Sequence, residues 1–199
     1  IDDLDNLCTQ DWKNNGDKIY LLSSKIDDKN ITLSGTAYLE YIHGLISGRP
    51  PEINFLLEKI FQKTLREGLK NKLFSSAHDL SEGGLAISLV ESTISSNFGA
   101  NISLENSSQR IDKVLFGEGG PRVLISIKED NINEVQKLIS KYNDNKISPL
   151  SLLPLGEVTS EREFSIMLNG QKLIQLPVTA LKDCFENAIS TRIKKQSSL

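Results

Sequence analysis

Apolar and polar positions alternate along this chain in short blocks whose period changes from segment to segment. "KIYLLSS" (18–24) is a brief apolar run behind Gly16 and Asp17 and reads as a buried strand. Within 35–48, Tyr38, Tyr41, Ile42 and Leu45 recur at helical spacing, and "RPP" (49–51) breaks that helix. A second helix is predicted with Pro51 in its first turn, where a missing N–H costs nothing. It carries Ile53, Leu56, Leu57, Ile60, Phe61, Thr64 and Leu65 on one face, and Gly68 closes it.

"LFSSAH" (73–78) leads into a polar cluster, after which Leu85, Ala86, Leu89, Val90 and Ile94 predict a helix from Gly83 to Ser96. "ANISLE" (100–105) alternates like a strand. Residues 107–120 hold a short helix that ends in a glycine-rich loop. "PRVLISI" (121–127) puts Val123, Ile125 and Ile127 on one face of a further strand. Asp130 caps a helix carrying Ile132, Val135, Ile139 and Tyr142, and "DNKISP" (144–149) is a loop. A strand at 152–158 bends at Pro154. A hairpin at 163–176 turns on Asn169-Gly170. Pro177 opens a final helix with Leu181, Phe185 and Ile189. Strands and helices are mixed and the hairpin is antiparallel, so one α+β domain over 17–199 is expected. Residues 1–16 read as the tail of a preceding domain. The Ile start and acidic "IDDLDN" opening suggest a piece of a longer chain.

Composition narrows the partners. The net charge is −3, with 38% hydrophobic and 25% charged residues, which points to no nucleic acid and no anionic membrane. The basic run Arg192, Lys194, Lys195 reads as a solvated helix end. Cys8 and Cys184 stand far apart in no metal-type spacing, and no apolar run reaches membrane-span length. A reducing, cytoplasmic setting follows as an expectation.

The densest chemistry is "AHDLSEGGLA" (77–86). One reading is helix capping by Asp79 or Ser81, with glycines easing the turn. The other is a metal–phosphate site. A helix start offers unpaired N–H groups, and Gly83 and Gly84 admit a phosphate to the backbone. A carboxylate beside phosphate repels it unless a divalent cation intervenes, and Mg²⁺ favours carboxylate plus phosphate oxygens. Asp79 then serves as metal ligand and Ser81 as donor to phosphate. Glu82 is a second acid or a first-turn residue favoured by the dipole. His78 is a hydrogen-bonded structural histidine or a general base; His43, on an amphipathic helix, is structural. In "FGEGGPR" (116–122) the glycines make a tight turn, and Glu118 and Arg122 form a candidate ion pair. This loop is neither a Walker nor a dinucleotide pattern. No catalytic triad signature is present, so no catalytic residue is assigned.

"SAHDLSEGGLAISLVES" closely resembles the signature of the C-terminal domain of the phosphoribosylformylglycinamidine synthase family, synthetase subunit. "GDKIYLL", "SGTAYLEYIHGLISGRPP", "LFGEGGPRVLISI" and "PLGEV" agree in order, over roughly residues 16–196. Sister families (aminoimidazole ribonucleotide synthetase, the selenophosphate synthetases, the hydrogenase maturation factor) carry different residues at this turn and form the alternative, with a nucleotide-binding structural module. The resemblance implies a layered α/β sandwich with partial ferredoxin-like similarity. It also implies a share in purine biosynthesis. There formylglycinamide ribonucleotide becomes the amidine through ATP, Mg²⁺ and glutamine-derived ammonia. ATP/ADP and Mg²⁺ are held jointly with preceding domains, and a glutaminase subunit and a small bridging subunit are implied partners. In the family's large single-chain form, the residues matching Asp79 and Ser81 hold a Mg–nucleotide at an auxiliary site. "SGTAY" departs from the family's Gly-Ser-Glu pattern at Thr36 and Ala37.

Overall fold

The computed structural model describes residues 7–24, 31–105, 109–143 and 150–196. The expected loop at 144–149 and residues 1–6 of the expected tail lie outside these. Among the described residues, seven strands form one sheet: β1 (Lys18–Ser24), β2 (Ser76–Asp79), β3 (Gly99–Leu104), β4 (Arg122–Ile127), β5 (Leu150–Thr159), β6 (Glu163–Leu168) and β7 (Gln171–Pro177). Their order is β2-β4-β1-β5-β3-β6-β7, antiparallel throughout except for β3 beside β6. The helices are α1 (Ala37–His43), α2 (Phe55–Lys70), α3 (Gly84–Ile94), α4 (Ile111–Phe116), α5 (Ile132–Asn143), α6 (Val178–Glu186) and α7 (Ala188–Gln196).

The segments β1-α2-β2-β4-α5-β5 make a split βαββαβ unit, with sheet order β2-β4-β1-β5 and α2 beside α5. This is the ferredoxin-like part. The excursion α3-β3-α4 leaves from β2 and returns to β4, and it places helices on the other face. Leu57 and Phe61 of α2 and Val135 and Ile139 of α5 pack with Leu22, Val123, Ile125 and Ile127. On the opposite face Leu85 and Leu89 of α3 and Leu115 of α4 pack with Ile19, Leu21 and Leu124. Both faces of the sheet are therefore covered around β1 and β4, as in a layered sandwich, while β7 at the far edge stays largely exposed. All six residues of β4 are buried in consequence. The predicted face of Val123, Ile125 and Ile127 is right, and covering of the second face buries Arg122, Leu124 and Ser126 as well.

Several local expectations change. α2 starts at Phe55, capped by Asn54, whose Oδ1 accepts the Leu57 N–H at 3.1 Å. Pro51 lies outside the helix. Gly68 does not end α2; it sits inside it, where a Cβ would strike the Phe74 ring. Asp130 lies in a 3-10 turn (Glu129–Asn131) ahead of α5 and does not cap it. The final helix divides at Asn187, whose side chain bonds back to Asp183. β5 bends through a register shift opposite Ile19 and Tyr20, which pair with Gly156 and Pro154 and leave Leu155 as the extra residue.

Residues 7–16, expected as a neighbour's tail, run against this domain. Trp12 is 2% exposed and donates from Nε1 to Thr93 Oγ1 at 3.0 Å. The hairpin turn is as predicted: Asn169 and Gly170 have φ of 48° and 76°.

Candidate functional site

Strand β2 ends at Asp79, and the Leu80 N–H makes one last bond in register with β4, to the Arg122 carbonyl at 3.2 Å. The chain then reverses over Ser81–Gly83, with the Gly84 N–H on the Ser81 carbonyl at 3.2 Å and Gly83 at φ 80°. α3 follows, buried on nearly every side. Neither Asp79 nor Ser81 caps it. The cap residue is Gly83, and its N–H donates to Glu118 Oε1 at 2.9 Å. A carboxylate from the second glycine-rich loop thus occupies the place that a phosphate was expected to take. It is favoured there by the helix dipole. Gly84 is a glycine for a packing reason. A Cβ on it would lie 2.7 Å from the Gly117 carbonyl oxygen.

The second loop is fastened on three sides. Thr32 and Glu118 exchange backbone hydrogen bonds of 3.0 and 2.9 Å. Arg122, 5% exposed, donates from Nη2 to the Gly117 carbonyl at 2.7 Å and from Nε to the Gly119 carbonyl at 3.0 Å. The expected Glu118–Arg122 ion pair is not formed: each side chain has turned to a different backbone group. Burial pushes the Arg122 guanidinium down to about 10, and the more distant charge of Glu118 offsets this in part.

His78 has a partner that no sequence spacing indicated. Its Nε2 lies 2.8 Å from Glu91 Oε2, the ring N–H donating to the carboxylate. Its Nδ1 is 3.7 Å from Asp79 Oδ1. The first contact ties β2 to α3. His43 ends α1 and meets Tyr38 edge-on at 5.8 Å; Tyr38 stacks on Phe116 at 4.6 Å and fixes α1 against α4.

A groove of about 590 Å³ opens where four loops converge: Ser34-Gly35, Ser47-Gly48 with Pro50-Pro51, Ser81-Glu82, and Glu118-Gly119. Of the expected site residues, Ser81, Glu82 and Glu118 line it, while Gly83 and Gly84 are buried behind it. Asp79 and His78 do not line it; the Asp79 side chain, at the end of β2 two residues before Ser81, is 78% exposed. Ser34, Gly35, Ser47 and Gly48 were missed by sequence reasoning. The signal was present as two Ser-Gly pairs around α1, and Gly48 at φ 105° lies so close to Ser34 that no side chain fits. Thr36 is buried and caps α1, its Oγ1 accepting the Leu39 N–H at 3.2 Å. The groove carries two carboxylates and a set of hydroxyl and backbone groups. It repels a bare anion and suits one brought in with a divalent cation. Among the described residues, no group of three or more His, Cys, Asp or Glu is arranged to hold a metal. Asp79 alone is one exposed oxygen ligand. Mg²⁺ typically takes one or two carboxylates and draws the rest of its shell from phosphates and water, so the donor set fits as part of a shared site.

Beside the groove the surface is apolar. Tyr41, Ile42, Leu45, Ile46, Ile53 and Phe55 are 53–80% exposed, and α1 buries none of its residues. Tyr41 and Ile42 lie on α1, but the helix ends at His43, where Gly44 takes the left-handed conformation at φ 66°, so Leu45 lies beyond it and "RPP" is not what breaks it. Among the described residues this apolar face meets no core.

Residues 14–169 match the family described as AIR synthase related protein, C-terminal domain. The chain is 43% identical over 198 residues to phosphoribosylformylglycinamidine synthase subunit PurL of one strain of Prochlorococcus marinus, covering 97% of this chain and 25% of that protein. The same-named subunit of a second strain of that organism, MIT 9303, is 41% identical over 198 residues, with the same 97% and 25% coverage. This chain thus spans about a quarter of the length of these curated relatives. Among solved structures, T. maritima PurL complexed with FGAR aligns with a TM-score of 0.70 at 17% identity, over 90% of this chain and 30% of that one. T. maritima PurL complexed with ATP aligns at 0.66 and 17%, over 90% and 28%. E. coli HypE, a hydrogenase maturation protein, aligns at 0.53 and 14%, over 84% and 51%. At these identities the structural likeness establishes the fold. No described helix is long and apolar enough to cross a membrane.

Proposed function

Because this chain belongs to the AIR synthase related protein, C-terminal domain family, we propose that it is the C-terminal domain of a phosphoribosylformylglycinamidine synthase synthetase subunit. That enzyme converts formylglycinamide ribonucleotide to the amidine with ATP, Mg²⁺ and glutamine-derived ammonia. The observation that carries the reading is the groove between Ser34-Gly35, Ser47-Gly48, Ser81-Glu82 and Glu118-Gly119, set beside an uncovered apolar face. Half of a nucleotide site and half of an interface lie next to each other.

In this reading Asp79 and Ser81 face a Mg–nucleotide. Asp79 holds the cation, which when bound neutralises phosphate charge that Glu82 and Glu118 would otherwise repel. Ser81 donates its hydroxyl to a phosphate oxygen. Gly83 and Gly84 contribute shape, since the Gly83 N–H belongs to Glu118. The site is auxiliary, and no residue of this chain is catalytic. The chain alone makes no amidine. Burying each large side chain of the Tyr41–Phe55 face is worth roughly 1.5–3 kcal/mol. Preceding domains of the same polypeptide cover that face and complete the site. The T. maritima structures with ATP, ADP and AMPPCP support the nucleotide. The T. maritima structure of PurLQS supports assembly with a glutaminase subunit and a small bridging subunit. Two free thiols at Cys8 and Cys184 agree with a cytoplasmic setting.

The test is Asp79→Asn in the intact protein, with nucleotide content measured after purification across a Mg²⁺ series. The variant is expected to retain several-fold less nucleotide and to change synthetase turnover little. Unchanged nucleotide content and an unchanged Mg²⁺ requirement would sink the assignment of Asp79.

A further inference from the structure

A second cavity, of about 460 Å³, lies on the α3 and α4 side of the sheet. None of its described lining residues lines the groove. Its floor is Leu21, Leu85, Leu104 and Leu155, all buried. Arg122 lines the same cavity and is 5% exposed; Lys113 and Glu105 also line it, so its charged lining is two cations and one carboxylate. The volume and the apolar floor are those of a small-molecule pocket.

Arg122 is the unusual element. Its side-chain hydrogen bonds go to the carbonyls of Gly117 and Gly119, and among the described residues it has no carboxylate within ion-pair distance. A buried cation is costly unless an anion or several well-placed dipoles offset it. Two carbonyls supply part of that offset, and Glu118 acts on the charge only from farther away. An anion entering the cavity supplies the rest. Arg122 also grips the two carbonyls that flank Glu118, so a ligand drawing on Arg122 acts on the loop that closes α3.

We propose that this cavity binds a small organic anion, an oxyanion group on an apolar body, with the anionic end paired to Arg122 and the body resting on the four leucines. The oxyanion is a carboxylate or a phosphate monoester. The nucleotide reading is not required for this, because Asp79 and Ser81 do not line the cavity.

The test is calorimetric titration of the intact protein with benzoate, phenyl phosphate and benzyl alcohol. At least one anion is expected to bind with a Kd at or below about 1 mM, with benzyl alcohol at least about tenfold weaker. Binding of phenyl phosphate alone assigns a phosphate ester, and binding of benzoate alone assigns a carboxylate. Arg122→Gln should weaken the anion about tenfold or more while leaving benzyl alcohol unchanged. Leu153, half exposed at the rim, gives a second variant that spares the core. Leu153→Trp should narrow the mouth and weaken the anion by a similar factor. Absence of binding by both anions, equal binding of benzyl alcohol, or full affinity in Leu153→Trp would overturn the proposal. Asp79→Asn should leave this binding unchanged, so failure here is separable from failure at the groove.

Discussion

Glu118 Oε1 accepts the backbone N–H of Gly83 at 2.9 Å, so the acid of one glycine-rich loop closes the helix that follows the other. Removing it leaves a buried donor unpaired, which costs roughly 1–2 kcal/mol. Glu118→Ala is expected to lose about that much stability in urea unfolding. Glu118→Gln keeps an acceptor oxygen and should lose less than half as much. Equal losses would assign the effect to charge and not to the hydrogen bond.

Gly170 has φ of 76°, and nothing lies within 4 Å of where its Cβ would stand. Any penalty there comes from the backbone alone. Gly170→Val should cost about 1 kcal/mol or more, because a β-branched residue at positive φ is strained. A urea midpoint equal to the parent's would mean that the turn relaxes into another form.

Lys141 Nζ at 2.7 Å and Tyr142 Oη at 2.8 Å both donate to Glu67, and they hold its carboxyl below the usual range, Lys141 most of all. A lowered carboxyl pKa stabilises the fold above the unfolded value of about 4.3. That stability disappears as pH falls through the folded value. The Glu67 side chain is partly exposed, so the effect is small and screened by salt. The melting-temperature gap between the parent and Lys141→Met should narrow between about pH 6 and about pH 3. A constant gap across that range would remove Glu67 as its source.

Cys8 is partly buried and burial raises its thiol pKa, with Lys13 pulling the other way; Cys184 is exposed. The thiolate is the nucleophile. Iodoacetamide near pH 8 should therefore modify Cys184 well before Cys8, read by peptide mass spectrometry. Equal rates would place Cys8 in solvent.

The chain's own pattern determined the element types with few exceptions. The alternation in 121–127, the stripe of Leu57, Phe61 and Thr64, and the Asn169-Gly170 turn are local signals. They arise from side-chain periodicity and backbone freedom, which short segments carry without their neighbours. Element ends were less legible. Pro51, Gly68 and Asp130 have the right chemistry for boundaries, but Asn54 caps α2, the Phe74 ring explains Gly68, and a 3-10 turn absorbs Asp130.

The candidate site was half legible for the same reason. "HDLSEGG" marked the turn because its polar residues and glycines are consecutive. Which atoms meet across that turn was a tertiary matter. Gly83 is 35 residues from Glu118, His78 is 13 from Glu91, and Ser34 and Ser47 reach the groove only once α1 folds back. Arg122 and Glu118 stand four positions apart in sequence and suggest an ion pair, yet the strand and the loop carry them to different partners. Periodicity predicted a helical face of Tyr41, Ile42 and Leu45, but Gly44 ends α1 one residue before Leu45. Packing decided that, among the described residues, the Tyr41–Phe55 face stays uncovered, because α2 with α5 and α3 with α4 already occupy the two sides of the sheet at β1 and β4.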